Sequence, residues 1–472
     1  MVSLDLRLTY EQYCLHVLEV ANKLRYFEIN SGDRVGIVSP NCLEYVVLLM
    51  ALWSLGAIAV PISIRWPAAN IERSLEEVNC SHVILSFRLS SQPILSRYEA
   101  IYLEDIVQIR PELSGRSYES QPGMDLEQDA TIIFTSGSSG RPKPVLHGLG
   151  NHYYSALGSN VNISFGPGKC WLISLPLYHV GGLAILFRAA LGGGAVSIQD
   201  ENSGLQDNIR KMGITHISLV ETQLYRLLEE RGGLNLLRGL KSILVGGGPV
   251  SPDLVEKAAG VGLSIFTSYG STEMASQITT TRPHDDLDRL LTSGKVLPYR
   301  QIKIAPDGEI LVKGATLFKG YLERDLLVTG RDDLGWFRTG DLGYMDDLGY
   351  LVVTGRKDNM FISGGENIQP EEIENKMNQL DGVANAIVVP VRNKEYGERP
   401  AAFVMMEAGR DFDRQDLEQG LKNILPHFMV PDYFFPWPED MVQNGLKINR
   451  EYFRKIAESN IIGRWDGDDC KG

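Results

Sequence analysis

"DRVGIVSPNCLEYVVLLMALWSLGAIAVPI", residues 33–62, decides the fold. Residues 33–38 lead from two charged positions into the β-branched apolar Val35, Ile37 and Val38 and read as a strand, and residues 42–55 stay apolar over most of a helical length. A second strand-like run, 57–62, follows at once. Residues 45–62 are apolar almost throughout, as a membrane span would be, but Ser54, Gly56 and Pro61 interrupt them and the run is short for a crossing. A buried helix passing into a buried strand is expected instead.

Working outward, residues 67–78 read as a helix and "SHVILS" (81–86) as a third strand. Strands alternating with helices imply a largely parallel sheet covered by helices. The rhythm returns with a strand at 170–176, a helix at 182–192 and strands at 194–199 and 216–220, then a helix at 223–231 and "SILVGGG" (242–248). After about residue 293 short alternating strands such as "QIKIAPDGEILVKG" (301–314) take over, divided by turn residues, and predict a small antiparallel, β-barrel-like unit. From "QPEEIENKM" onward, α+β sequence suffices for a separate, smaller C-terminal domain. The expected class is α/β, with a large N-terminal domain of mainly parallel sheets.

The 472 residues carry 46 basic and 59 acidic side chains, a net charge of −13, so no attraction to nucleic acid or anionic lipid is expected. Five widely spaced cysteines with no Cys-x-x-Cys pair fit a reducing cytoplasm, each read as a small buried hydrophobe. "MVSLDLRLTYEQY" lacks a basic region before an apolar core, so neither a secretory signal nor stable membrane insertion is expected.

Several turns carry ligand-suited groups. In "TIIFTSGSSGRPKP" a strand runs into Thr135, Ser136, Gly137, Ser138, Ser139 and Gly140, whose hydroxyls and close-approaching backbone N–H groups suit phosphate oxygens. Lys143 adds a mobile charge but lies between Pro142 and Pro144, which excludes a Walker P-loop; a Ser/Gly-rich surface linker is the alternative. Gly246, Gly247, Gly248 and Pro249 follow a strand, where ligands collect in α/β sheets or where a plain tight turn would serve. "YGSTE" offers the Tyr269 face beside Gly270, the Thr272 hydroxyl for phosphate and the Glu273 carboxylate for a hard cation. Asp341, placed after a strand, suits sugar hydroxyls. Lys447 and Arg450 of "NGLKINREYFRK" precede a helical segment and alone would be an ordinary basic face.

"TSGSSGRPKP", "YGSTE", "RTGD", "GRKDNMFISGGENIQPEEIE" and Lys-x-x-Arg occur in the order found in the adenylate-forming superfamily of acyl-CoA synthetases, peptide-synthetase adenylation domains and luciferases. The resemblance spans roughly residues 8 to 455. It implies that loop 135–143 holds the phosphates of ATP, that the 246–249 turn and Tyr269 flank adenine, and that Thr272 meets the α-phosphate. Glu273 would hold Mg2+, and Asp341 and Arg356 the ribose. Asp358 matches a hinge, so domains 1–357 and 358–472 are expected, the second mobile. Lys447 matches the catalytic lysine, and Gly364 the glycine that lets pantetheine pass. The family usually has Pro-Arg-Thr and a Gly directly before that lysine; "MVQNGLKINR" does not, so Lys447 rests on the Lys-x-x-Arg spacing. No carrier-domain sequence follows, which points to free coenzyme A as acceptor.

The resemblance places the acid pocket along "LPLYHVGGLAILFRAALGGG" (175–194), with Gly181 and Gly182 in its wall and His179 where the family keeps a residue that adjusts between half-reactions. Arg188 sits in "LAILFRAAL", where a charge needs a partner or must snorkel out; it either does so or binds a second carboxylate on the substrate, with Ser218 nearby. "THISLVETQLYRLLEE" and "VVPVRNKEYGERPAAFV" resemble the o-succinylbenzoate–CoA ligase branch of the superfamily, which serves menaquinone synthesis. A medium-chain or aryl acyl-CoA synthetase is the alternative among enzymes, and a silent nucleotide-binding sensor the alternative outside them.

Overall fold

The computed structural model describes residues 6–89, 98, 100–110, 124–135, 142–199, 203–323, 325–407, 409–438 and 450–468, the last seven of these by backbone alone. The chain divides into two compact units, Met1–Gly247 with Ala258–Ile302 and Val312–Phe337, and Gly248–Lys257 with Lys303–Leu311 and Arg338–Gly472.

In the first unit the 33–62 stretch forms as read: strand Arg34–Val38, helix Leu43–Leu55, strand Ile58–Pro61. The helix is apolar on nearly all sides and is therefore buried. Gly56 ends it at φ 76, a conformation open to glycine without strain. The two strands pair in parallel, and His82–Leu85 adds in parallel on the far side of the first.

They belong to an eight-stranded sheet in the spatial order Leu326–Val328, Gly320–Glu323, Lys143–Gly148, Asp129–Thr135, Ile58–Pro61, Arg34–Val38, His82–Leu85, Ala100–Tyr102. A seven-stranded sheet runs Lys295–Val296, Ser276–Thr280, Ile265–Ser271, Ser242–Val245, His216–Leu219, Cys170–Ile173, Ala195–Ile198. Each is parallel through most of its width and turns antiparallel toward one edge, at Asp129–Thr135 against Lys143–Gly148 and at Ile265–Ser271 against Ser276–Thr280. Both antiparallel turns carry motifs singled out from the sequence.

One apolar core joins helices Tyr10–Tyr26, Leu43–Leu55, Leu149–Asn162 and Val180–Gly192, with Trp53, Trp171 and Phe187 among its largest members. Trp53 donates from Nε1 to Ala130 O at 2.8 Å and lies 5.0 Å from the Phe187 ring. Among the described residues no helix is long and apolar enough to cross a membrane.

The second unit is built on a hairpin, Val383–Asn393 against Gly397–Met406, with Tyr433–Pro436 added in parallel. Alternation splits its residues between two cores: Ala386 and Val388 pack with Ile373, Met377, Leu417 and Leu421, whereas Ile387, Val389 and Val391 pack with Phe453 and Ala457. A four-stranded sheet runs Arg300–Ile304, Glu309–Gly314, Phe337–Met345, Leu351–Arg356.

The cysteines differ from expectation at one place. Cys42, Cys80 and Cys170 are buried, but Cys14 is exposed on the outer side of helix Tyr10–Tyr26; Cys470 lies outside the described residues.

Trp53→Phe removes the indole donor from Ala130 O, and is expected to cost about 1–3 kcal/mol, read as a lower urea midpoint. An unchanged midpoint would show that this carbonyl needs no tryptophan.

Candidate active site

Thr135 ends one strand and stands opposite Lys143 on the next. The connecting Ser136, Gly137, Ser138, Ser139 and Gly140 lie outside the described residues, as does Lys447. Lys143 Nζ sits 5.4 Å from the ring centroid of Tyr321, and the Tyr321 hydroxyl donates to Glu273 Oε1 at 2.7 Å. One aromatic side chain thus touches a cation and an anion that lie far apart in sequence. Tyr321 comes from Gly320–Glu323, which pairs with Lys143–Gly148 and carries no functional signal in the sequence.

Thr272 and Glu273, both half-buried, occupy a single 3-10 turn after strand Ile265–Ser271. Both of their carbonyls are tied down: Thr272 O accepts from His147 Nε2 at 2.7 Å, and Glu273 O from Phe318 N at 2.7 Å. Immediately after the turn, Ala275 and Ser276 take φ of 52° and 115°, a non-glycine strain of about 1–3 kcal/mol each. Ser155 Oγ holds the distorted backbone by donating to Ala275 O at 2.8 Å. Tyr269 and Gly270 flank a register shift in the strand, and any Cβ on Gly270 would run into Ser276 O. Gly246 is needed for the same kind of reason: a Cβ there would lie 2.5 Å from Ser268 Oγ, one residue before Tyr269. Gly247, Gly248 and Pro249 follow it, exposed.

In the second unit Asp341 stands within strand Phe337–Met345 rather than after a strand, directly opposite Arg356. The reason is Gly340, whose φ of 74° lets a turn-like sequence continue in the strand. Arg356 donates from Nη1 to Asp341 Oδ1 at 2.6 Å and from Nη2 to Asp358 Oδ2 at 3.0 Å. Asp358 lies in the short turn Lys357–Asn359. Gly364, at φ 59°, begins the tight turn between Phe361–Ser363 and Glu366–Ile368, and its N–H donates to Tyr396 O.

Of the five residues expected to serve the acid pocket, His179, Gly181, Gly182 and Arg188 belong to helix Val180–Gly192 or its N-cap, and Ser218 to strand His216–Leu219. His179 is its N-cap and is exposed, edge-on to Tyr178. Gly181 would set a Cβ 3.1 Å from Leu175 Cδ1, and Gly182 would drive one into Pro176 O, so both let the first turn seat on residues 175–176.

Arg188 is 1% exposed, which removes snorkelling. Its guanidinium lies 5.1 Å from the Trp171 ring centroid, and Nη2 donates to Gln277 Oε1 at 2.6 Å. Nε and Nη1 make no hydrogen bond among the described residues, and no carboxylate pairs with the group there. Burial without an anion pushes its pKa down, to about 9. Gln277 Oε1 also accepts from Ser159 Oγ at 2.7 Å, while Gln277 Nε2 donates to Thr280 Oγ1 at 2.6 Å. Ser218 reaches Arg188 only through Trp171, accepting from its Nε1 at 3.2 Å. A second buried guanidinium, Arg300, donates from Nη2 to Ser155 O at 2.9 Å, one helical turn before Ser159. Gln277 and Arg300 carry no functional signal in the sequence.

A region with a hydroxyl, a carboxylate and a lysine suits phosphates and a hard cation; the buried guanidinium suits a second anion. Residues 1–322 match the AMP-binding enzyme family, and residues 372–444 its C-terminal domain. The chain belongs to the AMP-binding enzymes. It is 32% identical to a 2-succinylbenzoate–CoA ligase of Oceanobacillus iheyensis over 90% of this chain and 89% of that one, and 34% identical to the Bacillus pumilus ligase over 86% and 85%. Its fold superposes on o-succinylbenzoate CoA synthetase (MenE) from Bacillus subtilis in complex with the acyl-adenylate OSB-AMP, with TM-score 0.82, 29% identity and coverage of 95% and 96%. The same enzyme in complex with ATP and magnesium ion gives TM-score 0.81, 30% identity and 92% coverage of each chain.

In an AMP-binding enzyme, Tyr321→Phe should weaken binding of ATP with Mg2+ by about tenfold, the worth of one hydrogen bond to a charged group. Titration calorimetry checks this; unchanged affinity would leave Tyr321 a packing residue.

Proposed function

We propose that this protein is an AMP-forming acid–CoA ligase of the cytoplasm that converts o-succinylbenzoate to o-succinylbenzoyl-CoA in menaquinone synthesis. Membership of the AMP-binding enzymes and similarity to named 2-succinylbenzoate–CoA ligases over most of both chains support the reaction class. One observation carries the choice of acid: Arg188, fully buried, with two nitrogens unbonded and no carboxylate beside it among the described residues. A dicarboxylate supplies what that group lacks. One carboxylate is activated, and the other accepts from Arg188.

A carboxylate is a poor electrophile. Its oxygen attacks the α-phosphorus of ATP, the bond to pyrophosphate breaks, and a mixed anhydride with AMP forms. The thiol of coenzyme A then attacks the anhydride carbonyl, the C–O bond to AMP breaks, and the thioester results. Bringing two anions together is the physical difficulty, and a preorganised positive field is the remedy. Thr135 and the residues to Lys143 would take the phosphates, Thr272 the α-phosphate, the Gly246–Pro249 turn and Tyr269 with Gly270 the base, and Asp341 with Arg356 the ribose. Among the described residues no cluster of three metal-ligating side chains exists, so Mg2+ would be shared between Glu273 and phosphate oxygens, as this ion commonly is. Bound there, Mg2+ would neutralise developing phosphate charge. The orphaned Ser271 hydroxyl beside this turn fits a site that takes polar ligands. Lys447 would steady the carboxylate and α-phosphate, His179 would adjust between half-reactions, and Gly364 would admit pantetheine. Asp358 would be the hinge between domains 1–357 and 358–472.

Carboxylate-dependent ATP–pyrophosphate exchange tests this: o-succinylbenzoate should support it, whereas benzoate, acetate, a medium-chain fatty acid and an amino acid should not. Exchange with another acid alone would overturn the substrate. Lys447→Ala should abolish exchange and still bind ATP; a sensor would be indifferent to it. Arg188→Met should leave the thermal midpoint unchanged or raise it, since an unpaired buried charge gives way to an apolar side chain. A clear loss of stability would make Arg188 structural instead.

A further inference from the structure

Three buried polar side chains beside the Thr272–Glu273 turn have no part in this scheme. Thr131 and His147 are 0% exposed and His152 is 2% exposed. They form one row whose hydrogens can be assigned. His147 Nε2 lies 2.7 Å from Thr272 O. A carbonyl only accepts, so Nε2 carries the proton and donates. Nδ1 is then a lone pair, and Thr131 Oγ1, 3.3 Å away, donates to it. Having used its hydrogen, Thr131 Oγ1 accepts from His152 Nε2 at 2.8 Å. The His152 ring stacks on Phe187 at 5.0 Å, next to Arg188 in the chain. Every hydrogen in the row points toward Thr272.

We propose that His147 is a positioning residue for the nucleotide end of the site: its Nε2–H fixes the Thr272 carbonyl and thereby the turn that presents the Thr272 hydroxyl and the Glu273 carboxylate. This rests on Thr272 and Glu273 acting on phosphate and Mg2+ as set out above. The turn needs such a tether. It is a single 3-10 turn, and its own hydrogen bond, Ala275 N to Thr272 O at 3.0 Å, comes from a residue in left-handed conformation. With the imidazole present both lone pairs of Thr272 O are engaged. Without it the strained Ala275–Ser276 backbone is free to relax, carrying both ligand groups with it.

The test compares His147→Met, of similar size without a donor, with His147→Gln, whose amide nitrogen can reach the same carbonyl. Titration of ATP with Mg2+ reads the nucleotide end whatever the acid. The Met variant should bind more weakly and need more Mg2+, and its exchange turnover should fall on the order of 10- to 100-fold. The KM for o-succinylbenzoate should not move, and Gln should restore most of the loss. Equal losses in Met and Gln, unchanged ATP and Mg2+ dependence in Met, or a parallel rise in the acid KM would each overturn the proposal. Thr131→Val, isosteric and one step further from the turn, reads the same tether should the Met variant not fold; unaltered ATP binding there would count against it. A wild-type protein that binds ATP but gives no exchange with o-succinylbenzoate would overturn the choice of acid and leave the His147 comparison intact.

Discussion

A guanidinium in the middle of an apolar helix is the constraint around which the packing of helix Val180–Gly192 is arranged. Arg188 is surrounded by neutral groups: the Trp171 face, Gln277 Oε1 and Ser276 Oγ. A carboxylate in the place of Gln277 would satisfy the charge permanently. The neutral amide instead fixes its direction while leaving it uncompensated. That choice costs stability, because a buried cation without an anion bears its desolvation alone. Holding the charge uncompensated makes sense where an anion arrives with the substrate. Arg300, buried nearby on Ser155, adds to the positive field; burial, and then the Arg188 charge, push its own pKa down to about 9.

The surroundings of the Thr272–Glu273 turn follow a different logic. Here the charges lie on neighbouring strands and are bridged by the Tyr321 ring and hydroxyl, so Lys143 and Glu273 are held near one another without neutralising each other directly. The turn carrying Glu273 is anchored from below by His147 and from beside by Phe318 N, and followed by two residues at positive φ. Strain of this kind persists only where surrounding contacts over-determine it.

Most of the fold was legible because its strands are short apolar runs divided by helices of ordinary length. Residues 33–62 fall into elements within a residue of the sequence reading, whereas between 170 and 248 the order of strands holds but Cys170–Ile173 and Ser242–Val245 end three residues early and the short helices Leu205–Lys211 and Gly233–Arg238 went unread. The strand through Asp341 was not, since Thr339-Gly340 reads as a turn and only a glycine at φ 74° keeps it a strand. Cys14 misled because a lone cysteine says nothing about which side of helix Tyr10–Tyr26 it occupies. For the candidate site, motifs on one turn could be read from spacing: Thr272 with Glu273, and Thr135 with Lys143. Partners brought by tertiary packing could not. Gln277 reaches Arg188 across 89 positions, and Tyr321 reaches Glu273 across 48. Neither "SQIT" nor "GYLE" carries any local mark of that role.

The proposed function has Arg188 held for a second carboxylate. The most direct measurement is a cycle of two chains and two substrates: kcat/KM for adenylation by wild type and Arg188→Met, each with o-succinylbenzoate and with the analogue lacking the carboxylate that is not activated. Deleting the carboxylate should cost wild type on the order of 30-fold or more, a coupling of about 2 kcal/mol or greater, and cost the variant almost nothing. Equal losses in both chains would mean that the carboxylate is bound elsewhere, and that the buried guanidinium serves some other end.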